Sequence, residues 1–220
     1  MTDLAATPLE RAVSGGAAAR RPTPLDALRL ARRHWLAGDR IDMGALAEEL
    51  GTSRATLYNW VGSKERLIGE VLWTLGEPTM RRAQEEASGS GPEYVGEVAE
   101  RFVTAVAGFA PLRRFIEQDP EFALRILTSK RSPLQRRLIE MNRELLERQV
   151  TAGALDPPLD LDTLAYLLAR IAESFLYTNV ITGDEPDPVK AGQATRVLLS
   201  APAPSGRTSA PSGPRRRRRT

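Results

Sequence analysis

Residues 46–60 read Leu46-Ala47-Glu48-Glu49-Leu50-Gly51-Thr52-Ser53-Arg54-Ala55-Thr56-Leu57-Tyr58-Asn59-Trp60, and their reading decides the fold. Leu46, Ala47 and Leu50 share an apolar stripe with Met43, and Asp42 stands where an N-cap belongs. Gly51 is free to take the left-handed conformation that ends a helix, and Thr52-Ser53 complete a tight turn. The Ser53 hydroxyl can cap the next helix, Arg54 to about Trp60. Two short helices joined by a turn containing glycine are what a helix-turn-helix requires.

The third helix can be mapped at about 100° per residue. With Leu57 turned to the core, Trp60 and Val61 fall near it, while Ala55 and Asn59 point almost directly away. Thr56 and Tyr58 lie on the flanks, and Arg54 is long and sits in the first turn. This outward face is small, polar and free of acid, the surface that fits a major groove. Between Gly51 and Lys64 the only charges are the cations Arg54 and Lys64, whereas Glu48, Glu49, Glu65 and Glu70 flank the segment. Asn59 can read an adenine edge, Ala55 can meet a thymine methyl, and Arg54 can read guanine or hold a phosphate. Thr52, Ser53, Thr56 and Tyr58 offer hydroxyls toward phosphates. Ser63 opens a further helix whose free N–H groups, with Lys64, make a second anion site. A capped hairpin in an ordinary bundle is the plainer alternative; the joint arrangement of cap, turn, aromatic and basic residues disfavours it.

Upstream, Thr23-Pro24-Leu25-Asp26 has the capping-box pattern with proline at the first helical position, opening a helix to about Ala37. Leu28, Ala31, Trp35 and Leu36 give it an inward face, and Gly38-Asp39 ends it. The chain divides into an arm over 1–22, a helix-turn-helix head with its connecting helix over 23–87, a helical domain over 92–200 and an Arg-rich tail over 201–220. Ser88-Gly89-Ser90-Gly91-Pro92 is the internal boundary, and the Pro, Ser, Gly and Arg of the tail cannot bury a core. No alternating β-branched run calls a strand, so the expected class is all-α.

Charge needs localising before it is interpreted. The 31 Lys and Arg exceed the 28 Asp and Glu, but Arg207 and Arg215 to Arg219 hold six cations; without them 25 bases face 28 acids, −3. The tail therefore sets the basic balance, and it can add non-specific affinity for nucleic acid. No cysteine is present, which excludes disulfides and thiolate chemistry. The first residues are not a signal peptide, and the apolar stretch Leu161–Ile181 is interrupted by Arg170 and Glu173, so no membrane partner is expected and a cytoplasmic address is.

In the second half, Ser132-Pro133-Leu134-Gln135 is read as the cap of a long helix ending near Gly153, with Leu134, Leu138, Met141 and Leu145 on one side. A helix over 160–183 is apolar nearly all round and needs burial on two sides. With a helix over 188–199 opened by Asp187-Pro188, it can build a four-helix interface with a second subunit. Leu164, Leu168, Ile171, Phe175, Val197 and Leu198 are its candidate contacts; the alternative is a central helix of a monomer. Tyr166, Arg170, Glu173 and Tyr177 share a face of that helix and can orient a ligand in a cavity lined by Phe102, Val106, Phe109, Phe122, Ile126 and Met141. An Arg170–Glu173 pair that only satisfies itself is the competing reading. His34 is the sole histidine; with no phosphate loop, zinc motif or nucleophile elbow, no cofactor, metal site or catalytic residue is expected.

The quoted stretch, extended by Ser63-Lys64-Glu65-Arg66-Leu67, resembles the signature of TetR-type transcriptional repressors over about residues 24–73. Two features depart from it: the aromatic that is usually Phe is Trp60, and the connection Asp39 to Met43 lacks the usual Thr. Gly69-Glu70-Val71-Leu72-Trp73, Leu112-Arg113-Arg114-Phe115, Glu173-Ser174-Phe175-Leu176-Tyr177 and Ile181-Thr182-Gly183 resemble the QsdR-like branch, associated with degradation of lactone quorum signals. The resemblance implies a homodimer on a palindromic double-stranded DNA operator, released by a small-molecule effector of lactone or fatty-acyl type. Against this regulator stand a nucleoid-type binder without effector and a lactone-acting helical enzyme, which would need a metal or an activated nucleophile.

Overall fold

The computed structural model describes residues 21–129 and 132–202. Among them every regular element is a helix. The head comprises α1 (Pro24–Ala37), α2 (Met43–Glu49) and α3 (Arg54–Val61), followed by the connecting helix α4 (Lys64–Glu86). The body comprises α5 (Gly91–Ala107), α6 (Ala110–Gln118), α7 (Pro120–Thr128), α8 (Leu134–Thr151), α9 (Leu161–Leu176), the single turn α10 (Thr178–Ile181) and α11 (Pro188–Ser200). The terminal arm up to residue 20 and the arginine run of the tail lie outside the described residues. None of the described helices is long and apolar enough to cross a membrane.

Local chemistry sets most helix starts. The Thr23 hydroxyl accepts from the Asp26 N–H at 3.3 Å while the Asp26 carboxylate accepts from the Thr23 N–H at 2.9 Å, the reciprocal pair of a capping box. Asp42, Ser53, Ser63, Asp160 and Asp187 likewise accept from backbone N–H groups at the starts of α2, α3, α4, α9 and α11. Ser132 does not cap α8 as its sequence suggests. Its hydroxyl donates instead to the Ile126 carbonyl, the N-cap position falls on Pro133, and Gln135 reaches away to Leu127 and Glu173. Buried acceptors outside the helix compete successfully for the capping residues. The expected continuous helix over 160–183 is also broken: α9 stops at Leu176, and Tyr177 adopts φ −102°, ψ 19° before α10.

The apolar core is continuous from head to body. Ala27, Leu30, Ala31, Trp35, Leu46 and Leu57 of the head join Leu67, Ile68 and Val71 of α4 and Leu112, Ile116 and Ile126 of the body in one buried cluster. Ala27, Leu30, Ala31 and Trp35 are the buried positions of α1, while Leu28 and Leu36, expected on its inward face, are only partly covered. A second cluster, built on Met80, Val98, Leu145, Leu164 and Leu199, fills the far end of the body. α4 contributes to both, so the helix that carries the head is also a wall of the body. Pro78 lies inside α4 and has no N–H for the carbonyl one turn back, which leaves the helix weakest next to Gly76.

Further ties cross the seam. Arg137 of α8 forks onto Glu70 of α4 at 2.6 and 3.0 Å, and Arg114 of α6 donates to the Leu36 carbonyl in the last turn of α1 at 3.3 Å. A Cβ on Gly69 would stand 2.5 Å from Ser132 Cβ, so α4 lies flush against the segment before α8.

Candidate functional site

Two sites emerge, one on the head and one inside the body. On the head, Leu57 is fully buried and α3 turns its other side out, with Ser53, Arg54, Ala55, Tyr58 and Asn59 exposed. Thr52, Thr56 and Lys64 are half-buried at its edge. The turn follows the sequence logic: Gly51 has φ +65°, and Ser53 accepts from the Thr56 N–H at 3.1 Å. Arg54 lies across α2, with its guanidinium where a side chain on Gly44 would be. Asp42 is held below the usual carboxylate range, first by the Ala45 N–H and also by the charges of Arg54 and Lys64, so both cations gather at the start of α2.

Lys64 is additionally engaged with the body. Its ammonium stands 5.4 Å from the centre of the Phe122 ring, whose neighbours include Arg125 at 5.2 Å. Phe122, expected in the ligand cavity, therefore belongs to the seam between head and body. His34, unremarkable in the sequence, bridges Asp39 at 3.0 Å and Glu49 at 2.7 Å and ties the end of α1 to α2. Its pKa is raised, chiefly by the Glu49 hydrogen bond and next by Asp39.

Inside the body is a cavity of about 190 Å³. Of the expected wall residues, Phe102, Val106, Phe109, Met141, Glu173 and Tyr177 do line it. Ile126 is fully buried in the core beyond it, Tyr166 is 50% exposed on the outer surface, and Arg170 stands behind Glu173. The α9 face that sequence spacing treats as uniform is thus split, because the helix is covered on one side only. Arg170 spreads over the outward Tyr166 ring at 5.2 Å and holds Glu173 at 3.0 Å. The self-satisfying pair is real, yet Glu173 also faces the cavity.

The sequence reading missed much of the wall. Leu72, Trp73, Gly76 and Thr79 come from α4, Gln135 and Leu138 from α8, and Trp35 from α1. Only the periodicity of α4 hinted at this, since its apolar positions exceed what one face of a head needs. Glu173 is buried and hydrogen-bonded by Gln135, and burial outweighs the Arg170 charge in raising its pKa. Burial also pushes the Tyr177 hydroxyl up. Apart from Thr79, the wall is apolar except for a polar corner at Gln135, Glu173 and Tyr177, where burial works against the charged forms of the carboxyl and the phenol. Among the described residues no three of His, Asp and Glu converge as a metal site.

Among the candidate subunit contacts, Leu164 and Leu168 are interior residues of this chain, while Ile171, Phe175 and Leu198 are half-covered and Val197 is 73% exposed. Tyr166, Ile181 and Val189 are exposed apolar groups of the same region outside those candidate subunit contacts.

Comparison with known proteins bears on both sites. The family model described as the tetracyclin repressor-like C-terminal domain matches residues 90–200. The transcriptional repressor QsdR of the TetR family from R. erythropolis is 32% identical, with 81% of this chain and 96% of that chain covered and a TM-score of 0.75. AlkX, a TetR-family repressor from Dietzia sp. strain DQ12-45-1b implicated in biodegradation of n-alkanes, is 23% identical over 84% of this chain and 96% of its own, with a TM-score of 0.52, and bears on the fold alone. No curated protein matches the chain.

Proposed function

From the premise that this chain belongs to the TetR family of DNA-binding transcriptional repressors, we propose that it is a cytoplasmic repressor whose paired α3 helices read a palindromic operator until a neutral, largely apolar molecule fills the body cavity. The family binds DNA as dimers and responds to effector ligands. The observation that carries the reading is the orientation of α3, with Leu57 buried and Ala55 and Asn59 facing out. Asn59 and Arg54 take the base edges, Ala55 sits against a methyl, and Thr52, Ser53, Thr56, Tyr58 and Lys64 position the backbone.

The effector enters between α4, α5, α8 and α9. A carboxylate ligand would meet Glu173 rather than a free cation, since Arg170 is committed to Glu173 and Gln135. A neutral acyl compound such as a lactone suits the polar corner, where the Tyr177 hydroxyl can donate to its carbonyl. Filling the cavity presses on α4 beside Gly76 and Pro78, and α4 carries the head.

The test is a gel shift with the full chain on DNA from upstream of its own coding sequence, titrated with salt and with γ-nonalactone. Specific retention over scrambled DNA, lost on adding the lactone, supports the proposal. Retention that ignores sequence identifies a nucleoid-type binder and defeats it.

A further inference from the structure

One side chain of the reading head reaches into the wall of the body cavity. Trp35, in the last turn of α1, is 4% exposed, and its indole N–H has no hydrogen-bond partner within the protein. The ring nevertheless forms part of the cavity wall. It stacks on Phe109, another wall residue, with centroids 6.2 Å apart at 29°, and meets Phe115 edge-on at 5.8 Å. Toward the seam the same ring borders a second, smaller space of about 130 Å³ shared with Lys64, Ile68 and Phe122. Buried tryptophans ordinarily find an acceptor for the indole N–H, and an orphan in a native interior calls for an explanation. Here the orphan belongs to a ring in the wall of a mostly apolar cavity, whose other polar lining residues are Thr79, Gln135, Glu173 and Tyr177.

We infer that Trp35 is an effector-binding residue supplied by the reading head itself, its indole N–H donating to an acceptor oxygen of the neutral ligand. The inference rests on the proposal that this cavity is the effector site and specifies where the ligand touches the head. A ligand held by Trp35 pulls directly on α1, whose end is fixed to α6 by Arg114 and to α2 by His34. Recognition and release then share one contact. The ligand class is correspondingly narrowed: an apolar body with a neutral oxygen acceptor is required, and a pure hydrocarbon of the same shape forfeits the contact.

A two-by-two titration of the full chain tests this. Native protein and Trp35→Phe, which keeps an aromatic ring and deletes the N–H, are each titrated by calorimetry with γ-nonalactone and with pentylcyclopentane. Circular dichroism melts establish that both proteins are folded. The expected result is about a tenfold weaker affinity of the variant for the lactone, from loss of one hydrogen bond, with little change for the hydrocarbon. Equal loss for both ligands, or none for either, overturns the role of the N–H while leaving the cavity as the ligand site. Absence of lactone binding to native protein overturns the cavity reading as well.

Discussion

Asn59 is exposed two residues from a fully buried Leu57, so its amide is the group on α3 best placed to distinguish bases. Asn59→Ala should cost about 1–3 kcal/mol of operator binding and relax one base position, visible in a competition shift against single-substitution operators. Lys64→Ala should weaken every sequence alike and flatten the salt dependence by about one unit of slope, since a phosphate contact releases a counterion whatever the base. Equal effects from both substitutions would contradict this division of labour. His34 invites a pH experiment. Its folded pKa is raised above the ordinary 6.5, so its bonds to Glu49 and Asp39 contribute fully below that value and fade as pH climbs through the raised one. The melting temperature of native protein relative to His34→Gln should therefore fall as pH rises above 6.5 through the raised pKa; a constant difference would rule the clasp out. The outward face of α3 was legible in sequence because eight residues of helix have only one way to bury Leu57. The His34 bridge and the stack of Lys64 on Phe122 were not, because each joins residues that only tertiary folding brings together.

Helices meet most closely where glycines face each other. A Cβ on Gly192 of α11 would lie 2.9 Å from the Gly96 carbonyl of α5, and one on Gly96 would lie 3.0 Å from the Gly192 carbonyl, so the two backbones are in contact. Gly192→Val should lower stability by about 1–3 kcal/mol in urea unfolding through overpacking. Gly76 offers the opposite case: it lies inside α4, lines the cavity, and a Cβ there meets nothing within 4 Å. Gly76→Ala should stabilise the protein by about 0.5–1 kcal/mol through helix propensity. It should also weaken lactone response, because the new methyl occupies ligand space and stiffens α4 beside Pro78. Rising stability with unchanged release would show that this part of the cavity is not used. Helix starts marked by Thr23, Asp42, Ser53 and Asp187 could be read from sequence since their partners lie three residues away. The α8 start and the break at Tyr177 could not, since Ser132, Gln135 and Tyr177 are claimed by groups from other helices or by the cavity.

A single core running from Leu57 to Tyr177 makes the head and body one mechanical object, yet two heads must still be held a fixed distance apart to read a palindrome. The apolar residues left outside that core mark the face on which a second copy is expected. Val197 on α11 is 73% exposed, with Val189 on the same helix and Tyr166 on the adjoining α9 at 51% and 50%. Leu164, in contrast, is fully buried and serves the protomer's own interior. Hydrophobic pattern alone cannot separate these two roles, because a helix apolar on several sides looks the same whichever side another subunit covers. The distinction yields a prediction at the scale of the assembly. Val197→Asp replaces a side chain that touches little of its own chain, so the protomer should keep its melting cooperativity, whereas a charge at Leu164 should unfold it. In a dimer joined through this face, the same aspartate would be buried without a partner for its charge. Sedimentation should then report a folded monomer, and operator affinity should fall by about 10²–10⁴, the gain that tethering two heads provides. Loss should be far smaller on a half-site, which one head reads alone. A Val197→Asp protein that sediments as a dimer and holds the full operator as tightly as native would move the subunit interface away from this face.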